Sequence, residues 1–417
     1  MPRLRRGSSL HEADGYTVPE ALQRFCEGLR PLDAIECELM DAAHLVLAEA
    51  ASSPRDVPDS PRSAVDGYAV RAGDVRLAEK DRPVRLRLIG SALAGHPQAQ
   101  SLRPGEAVRI TTGGVVPEGA DAVQYQEVCT AGDGFVDVGE PLAPGDNMRA
   151  RGEDVRRDQQ LLPDGERLTA ERIGLLSAMG VARVRVARRP RVRFVSTVDE
   201  IYPLGADLPQ GGTYDSNSRQ ISTHLAALGA AVERVGPVED RTDALIEACS
   251  GDWDMLITSG GVSVGPADRI AEVAERLGAQ VRFHWAKMRP GAPTMGLNLA
   301  GRPWLGLSGN PLSAQVGFDL FGRAALDALS GGGPSVRRGR VRLMEGFHRR
   351  GPDVPRYLRA RITWEEGELR ARVHAYQASG GLRAMAQTNG YVVQPAGVSD
   401  LGAGSMLDAL LVLPLWD

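Results

Sequence analysis

The stretch MLITSGGVSVGPAD, Met255–Asp268, decides how this chain is read. Met255–Ile257 is an apolar run that reads as a buried strand. Ser259, Gly260 and Gly261 then form a loop with little side chain, with Ser263 just beyond. Ala267–Leu277 places Ile270, Val273 and Ala274 on one helical face. A strand, a bare-backbone loop and a helix aim free N–H groups and a helix dipole at an anion. Glycine also lets a bulky ligand approach the main chain. Asp268, at the helix start, suits either a cap or a metal ligand. An ordinary tight turn between strand and helix carries the same pattern, so the motif gains meaning only from its neighbours.

Those neighbours repeat its layout. RVRFVST from Arg191 reads as a strand, and Asn217–Leu228 as a helix. AAVERVGPVED and RTDALIEACS continue the alternation before the glycine loop. VRFHWAKM, RPWLGLSGNP and LSAQVGFDLFGRAALDAL continue it afterwards. Alternation of this kind predicts a three-layer α/β domain with a mainly parallel sheet over 189–332. Ligands on such sheets bind beyond the carboxyl ends of the strands. Those ends hold Asp199, Glu200, Asp240, Gly260, Gly261, Asp268, Gly309, Asn310 and Pro311. Acids and bare backbone from unrelated loops thus share one rim.

The remaining segments divide by period. Thr17 reads as the N-cap of a helix with Pro19 and Glu20 in its first turn. A second helix is expected over Leu39–Ala51 and a third over Leu168–Met179. Between them, VRLRLIGSA, EAVRITTGG, DAVQYQEV and GFVDVGE read as short strands separated by turns. A β domain over 51–154 inserted into a split helical domain, 1–50 and 155–188, accounts for this order. It closes on NMRARGEDV, a charged corner that is either a solvated turn or an oxyanion- or partner-facing surface. A linker from Ser330 leads to alternating strands over 333–417, expected to form a small β-barrel or sandwich.

Composition narrows the function classes. A net charge of −4 supplies no basic field, which argues against nucleic acid as the main partner. Lys80 and Lys287 are the only lysines, so oxyanion recognition falls largely to arginine forks. Cys26, Cys37, Cys129 and Cys249 are scattered without a CxxC pair and read as reduced thiols. No apolar run reaches membrane-spanning length, and the expected location is cytoplasmic.

The stretches SAVDGYAV, ITTGGVVPEGADAV, NMRARGED, STVDEI, TYDSNSRQI, TSGGVSVGPAD, MRPGAPT and LSGNPLSA follow one another between Ser63 and Ser379. In this order they resemble the molybdopterin molybdenumtransferase family, which includes the E domain of gephyrin. The resemblance implies an elongated homodimer with a composite active site between the α/β domain of one subunit and the β domain of the other. It implies molybdate and adenylylated molybdopterin as substrates, AMP as a product, Mg²⁺ at the pyrophosphate, and a molybdopterin adenylyltransferase acting upstream. It implies catalytic roles for Asp66 and Thr112 in the β domain and for Glu200, Asp240 and Asp268 on the α/β rim, with Glu200 and Asp268 as metal ligands. Arg149 and Asp154 match the family's charged corner. Arg289 and Pro290 in MRPGAP, Ser313 after the GNP turn, Arg359 and Ser379 match its substrate and molybdate contacts.

The chain departs from the family pattern at Val198, where glycine is usual, and at Ser308, where proline is usual. Trp285 and Ala292 replace lysines, with Lys287 as a possible substitute. These departures support a second reading, a diverged dimer that binds or scaffolds without turnover. A third reading, an adenylyltransferase, shares the α/β domain but does not account for the DGYA domain or the β tail.

Overall fold

Met255–Ser259 forms a strand whose five residues are all buried, because it runs through the middle of a six-stranded sheet. The computed structural model describes residues 15–197, 200–262, 269–351, 353–378 and 381–413. The sheet order is Ala231–Val235, Arg191–Ser196, Met255–Ser259, Arg302–Leu307, Met295–Leu299 and Gln280–His284. The first four strands are parallel, and the last two join antiparallel. Met295–Leu299 is a strand the sequence reading passed over. Its glycine and asparagine weaken the alternation that marks a strand.

Alternating residues of the central strands serve opposite faces. Phe194, Ile257 and Leu305 pack with Ile221, Leu225 and Phe321 on one side. Val195, Leu256 and Trp304 pack with Leu245, Ile270 and Val273 on the other. This is the expected three-layer arrangement, and each fully buried large apolar side chain contributes about 1.5–3 kcal/mol. Thr258 Oγ1 accepts from Trp304 Nε1 at 3.1 Å, so the buried indole keeps a partner. The helices Ser216–Ala227 and Thr242–Cys249 lie close to expectation. The last predicted helix runs as Pro311–Gly317, a π-helical turn Phe318–Gly322, and Arg323–Ser330.

The chain folds into two units. One comprises the described residues of Met1–Glu49, Gly165–Thr169 and Arg185–Asp417. Besides the α/β sheet, it holds the helix Val18–Cys26, whose capping box joins Thr17 and Glu20. It also holds a closed barrel in the order Arg337–Leu343, Glu368–Val373, Arg356–Glu365, Gly390–Gln394 and Met406–Leu411. The C-terminal strands therefore close on themselves and do not form a sandwich.

The helix expected over Leu39–Ala51 is absent. Ala34–Glu38 is a strand, and Val46 and Leu47 form bridges to Arg167 and Val186. Leu45, Val46 and Leu47 are all buried, which an extended segment packed on both faces allows and a one-faced helix does not. His44, with φ 66°, also breaks a right-handed helix there.

The second unit comprises Ala50–Asp164 and Ala170–Val184. Its six-stranded sheet runs Ala122–Tyr125, Gly67–Val70, Glu106–Ile110, Val84–Ala92, Phe135–Val138 and Cys129–Gly132. Gly67 is required by proximity, since a Cβ there would lie 1.8 Å from the Gln124 carbonyl oxygen. Ala170–Met179 is helical, as expected from Leu168 onward. Among the described residues no helix is long and apolar enough to cross a membrane.

Candidate active site

The α/β sheet reverses its winding at one place. From Arg191–Ser196 the chain adds Ala231–Val235 on one side, then returns to add Met255–Ser259 on the other. This switch leaves a crevice beyond the carboxyl ends of the two central strands. Ser196 pairs in register with Ser259, and Ser259 with Leu307. Thr197, Gly260 and Ser308 therefore follow side by side along one rim.

The rim is held by side chains that bond to backbone and to one another. Ser259 is buried; its Oγ accepts from Asn217 Nδ2 at 2.8 Å and donates to the Ser308 carbonyl at 3.4 Å. The same Asn217 Nδ2 donates to the Gly309 carbonyl at 2.9 Å. One amide group thus ties two glycine loops together. Asn217 Oδ1 is buried and has no partner among the described residues. Asp215 caps the helix carrying Asn217 through Ser218 N–H at 3.0 Å and accepts from Ser196 Oγ at 2.8 Å. Thr197 donates from N and Oγ1 to the Ser259 carbonyl.

Gly260 and Gly261 have φ of 105° and 65°, so both occupy backbone that side chains rarely adopt. Gly260 N–H donates to the Leu307 carbonyl at 2.9 Å, which fixes the turn. The helix after the loop is described from Ile270 onward. Ser263 and Asp268, both predicted site residues, lie outside the described residues, as does Val198.

Two predicted acids reach this rim. Glu200 is exposed, and its carbonyl accepts from Thr213 N–H at 2.8 Å. Asp240 is half-buried and lies 3.4 Å from Arg269 Nε. It is brought to the rim by Val238, whose N–H donates to the Ser196 carbonyl. Gly309, Asn310, Pro311 and Ser313 form the helix start expected there. Asn310 Oδ1 accepts from Leu312 N–H at 3.2 Å and from Ser313 N–H at 3.5 Å, with Pro311 in the first turn. Ser308 Oγ accepts from Asn310 N–H at 3.2 Å, a bond that a proline at this position could not make.

Arg289 and Pro290 are joined by a cis peptide bond. Arg289 exchanges backbone bonds with the barrel, donating to Pro355 and accepting from Tyr357. Its neighbour across that bridge is Arg356. Burial lowers the Arg356 pKa, and the charges of Arg349 and Arg289 lower it further. Positive charge is therefore concentrated beside the Met288–Pro290 turn. Ala292 is buried, and Trp285 has φ 66°.

Arg359 is fully buried, and its guanidinium donates to the carbonyls of Gly381, Tyr376 and Ala378. It shapes the loop that leads to Ser379, which itself lies outside the described residues.

In the second unit, Asp66 and Thr112 are in contact. Asp66 Oδ1 accepts from Thr112 N at 2.7 Å and from Thr112 Oγ1 at 3.0 Å. The Thr112 backbone N–H, then its hydroxyl, hold the Asp66 carboxyl below its usual range. The corner keeps its charge: Arg149 pairs with Glu153 at 3.4 Å, and Asp154 is exposed.

Sequence reasoning did not single out Asn217, Asp215 or Thr197. The signal was the Asp-Ser-Asn-Ser run at a helix start, where such residues satisfy free N–H groups.

Comparison with known proteins agrees with this architecture. Residues 16–180 match the MoeA N-terminal region (domain I and II). Residues 193–328 match a probable molybdopterin binding domain, and residues 340–412 the MoeA C-terminal region (domain IV). The molybdopterin molybdenumtransferase of Bacillus subtilis (strain 168) is 33% identical over 403 residues, covering 95% of this chain and 94% of the relative. That of Staphylococcus epidermidis (strain RP62A) is 28% identical, covering 97% of each. The crystal structure of a molybdopterin biosynthesis MoeA protein from Pyrococcus horikoshii superposes with a TM-score of 0.81 at 31% identity, over 96% of this chain and 100% of that one. Sequence, three consecutive domain matches and superposed fold converge: this chain belongs to the molybdopterin molybdenumtransferase family.

Proposed function

We propose that the chain catalyses insertion of molybdenum from molybdate into adenylylated molybdopterin, with release of AMP. The observation that carries this reading is the switch-point rim, where Asn217 binds the Ser259–Gly261 loop to Gly309. Glycine backbone on such a rim lets a phosphate-linked ligand approach the main chain closely. Glu200, Asp240 and Asp268 supply the acidic groups, with Asp66 and Thr112 from the β domain. Ser259, Gly260, Gly261, Ser263, Gly309, Asn310, Pro311 and Ser313 contact the nucleotide-linked pterin. Arg289, with Ser313 and Ser379, meets the molybdate, and Pro290 lines the substrate site. The positive charge of Arg289, Arg356 and Arg349 favours a tetrahedral dianion at that turn. Arg359 orders the Ser379 loop, and Arg149 and Asp154 form the charged corner.

Mg²⁺ fits the donors available. Among the described residues no group of three or more His, Cys, Asp or Glu is gathered. Magnesium held through substrate phosphates needs only one or two carboxylates, and Glu200 is an exposed one. Glu200 and Asp268 are the residues that would hold the ion, which neutralises pyrophosphate oxygens when bound. The protein's own part is to orient the ligand along the rim.

The reading further comprises a cytoplasmic homodimer with a composite site, supplied by a molybdopterin adenylyltransferase. It divides the chain into a split helical domain (1–50 and 155–188), a β domain (51–154), an α/β domain (189–332) and a barrel domain (333–417). The test is AMP release from adenylylated molybdopterin, followed by chromatography. Release that requires molybdate supports the reading. Binding without molybdate-dependent release would instead favour the scaffolding dimer, and use of ATP with molybdopterin would favour an adenylyltransferase.

A further inference from the structure

The helical segment that begins at Asn310 changes pitch once. Pro311–Gly317 is α-helical, Phe318–Gly322 is a π turn, and Arg323–Ser330 is α-helical again. A π turn inside an α-helix recurs at functional positions. Here it holds Asp319, which is 1% exposed. Both of its carboxylate oxygens are used. Oδ1 accepts from Arg323 Nε at 2.7 Å, and Oδ2 accepts from the Tyr391 hydroxyl at 2.7 Å. Arg323 is itself buried and also donates to His224 Nδ1 at 3.4 Å. Burial, and after it the charge of Asp319, push the Tyr391 hydroxyl well above its ordinary pKa, so it stays a donor.

Each partner in this cluster belongs to an element that also reaches the site. Asp319 shares its helical segment with Asn310 and Ser313, roughly 9–14 Å back along the axis. His224 lies on the helix Ser216–Ala227, whose first turn carries Asn217. Tyr391 lies on the barrel strand Gly390–Gln394, directly opposite Arg359 on the strand Arg356–Glu365. Residues opposed in this way share one face of a sheet. Arg359 in turn holds the carbonyls of Tyr376, Ala378 and Gly381, on either side of Ser379. Its backbone N–H donates to Gln377 Oε1 at 3.1 Å. A Cβ at Gly381 would lie 2.7 Å from the guanidinium nitrogens, so the chain returns tightly against them. The short helical turn that follows, Leu382–Met385, lies beside the helix Pro311–Gly317. The chain around Ser379 is thus bonded to the Arg359 face of the barrel and followed by a turn against the rim helix.

A buried ion pair is a weak source of stability, since apolar side chains of similar volume often pack as well. What Asp319 adds is direction: its bonds to Arg323 and Tyr391 fix one register between helix and barrel strand. The barrel and the α/β sheet also meet through main chain, at Arg289, Pro355 and Tyr357. One attachment leaves rotation free, whereas two separated attachments set the tilt of the barrel. We infer that Asp319 and Tyr391 are positioning residues, which set the Arg359 face and the chain around Ser379 against the helix carrying Ser313. This rests on the functional reading above, in which Ser313 and Ser379 meet the molybdate, and adds a buried pair remote from that anion. The effect falls on one end of the site: the pair governs use of molybdate and leaves the nucleotide end alone.

The test uses the full chain with Tyr391→Phe, Asp319→Asn and the two combined. Tyr391→Phe removes one hydroxyl and keeps the ring. Asp319→Asn keeps the volume and one acceptor, and serves as an independent probe of the same bond. Molybdate-dependent AMP release is measured at saturating adenylylated molybdopterin and well below the melting temperature. AMP affinity is measured by calorimetry, and amide exchange is followed at Gln377, Ala378 and Gly381. Expected in each single variant is a rise of about fivefold or more in the KM for molybdate, with AMP affinity within about twofold of wild type. Exchange at those three amides should be faster. The combined variant should lose less, on a logarithmic scale, than the two single effects added, because both act on one bond. A wild-type molybdate KM in Tyr391→Phe, even with lower melting, makes the pair structural only and overturns the inference while the functional reading stands. Fully additive effects overturn it, since the two residues then act separately. Parallel loss of AMP affinity overturns it as well, since the damage is then general. Wild type without molybdate-dependent release removes the functional reading and this inference together.

Discussion

Replacing Asn217 by alanine separates the rim from the sheet that carries it. The side chain is buried and makes two bonds, to Ser259 Oγ at 2.8 Å and to the Gly309 carbonyl at 2.9 Å. Each is worth about 1 kcal/mol net, and the vacated space adds to that, so a loss of about 2–3 kcal/mol is expected. In a folding unit of this size the melting temperature falls by a few degrees. The helix itself should persist, because its cap, Asp215, still holds Ser218 N–H and Ser196 Oγ. The larger effect should fall on function. With the Ser259 and Gly309 loops untied, donor positions shift, and misplacement by about 1 Å costs on the order of a hundredfold in rate. Molybdate-dependent AMP release well below the melting temperature should therefore drop at least about tenfold in kcat/KM. Asn217→Asp should be worse, since a carboxylate oxygen facing the Gly309 carbonyl cannot donate. Wild-type turnover in Asn217→Ala, with or without lower stability, would refute the idea that this amide assembles the site.

Four further outcomes follow from the geometry. Gly261→Ala places a Cβ 3.3 Å from Ile270 Cγ1 at φ 65°, so denaturant unfolding should show a loss of about 1–2 kcal/mol, and no loss would contradict the described turn. Asp254 is buried; burial opposes its ionisation, but bonds from Arg188 and Arg191 outweigh this and hold the carboxyl well below the usual range. A depressed folded-state pKa gives stability that is complete above the unfolded value, near 3.9, and is lost as pH falls through the acid range. Asp254→Asn should therefore cost about 3 kcal/mol at neutral pH and flatten the acid limb of the stability curve; an unchanged limb would show the pair to be inert. Thr112→Val removes one of two donors to Asp66, so the carboxyl should rise toward its ordinary value in an NMR titration, and no movement would deny that bond its effect. Arg359→Lys cannot span the Gly381, Tyr376 and Ala378 carbonyls, so amide exchange of that loop should accelerate, whereas unchanged protection would leave Arg359 free for another role.

The α/β layout was legible because its elements are regular. Apolar runs such as Met255–Ile257 and amphipathic helices such as Ile270–Leu277 each bury a defined face. The Ser259–Gly261 loop was legible too, as a run with little side chain between strand and helix. The Leu39–Ala51 helix was misread because three consecutive apolar residues satisfy helical and extended patterns alike, and only contacts with Arg167 and Val186 decide between them. Asn217 was legible as a helix-start residue but not as a link between loops, because Ser259 and Gly309 are distant in sequence. Arg359 entered as a molybdate contact only through the family resemblance, and its burial among carbonyls, which gives it a structural task, needs the fold to be seen.

The most direct test of the account is a crystal structure of the full chain with adenylylated molybdopterin. The account predicts phosphate oxygens within hydrogen-bond distance of the Gly261 amide, beyond the ends of Arg191–Ser196 and Met255–Ser259. A ligand seated elsewhere would contradict it, for example in the cavity of about 640 Å³ lined by Val18, Lys287, Arg338 and Tyr357, with the rim vacant.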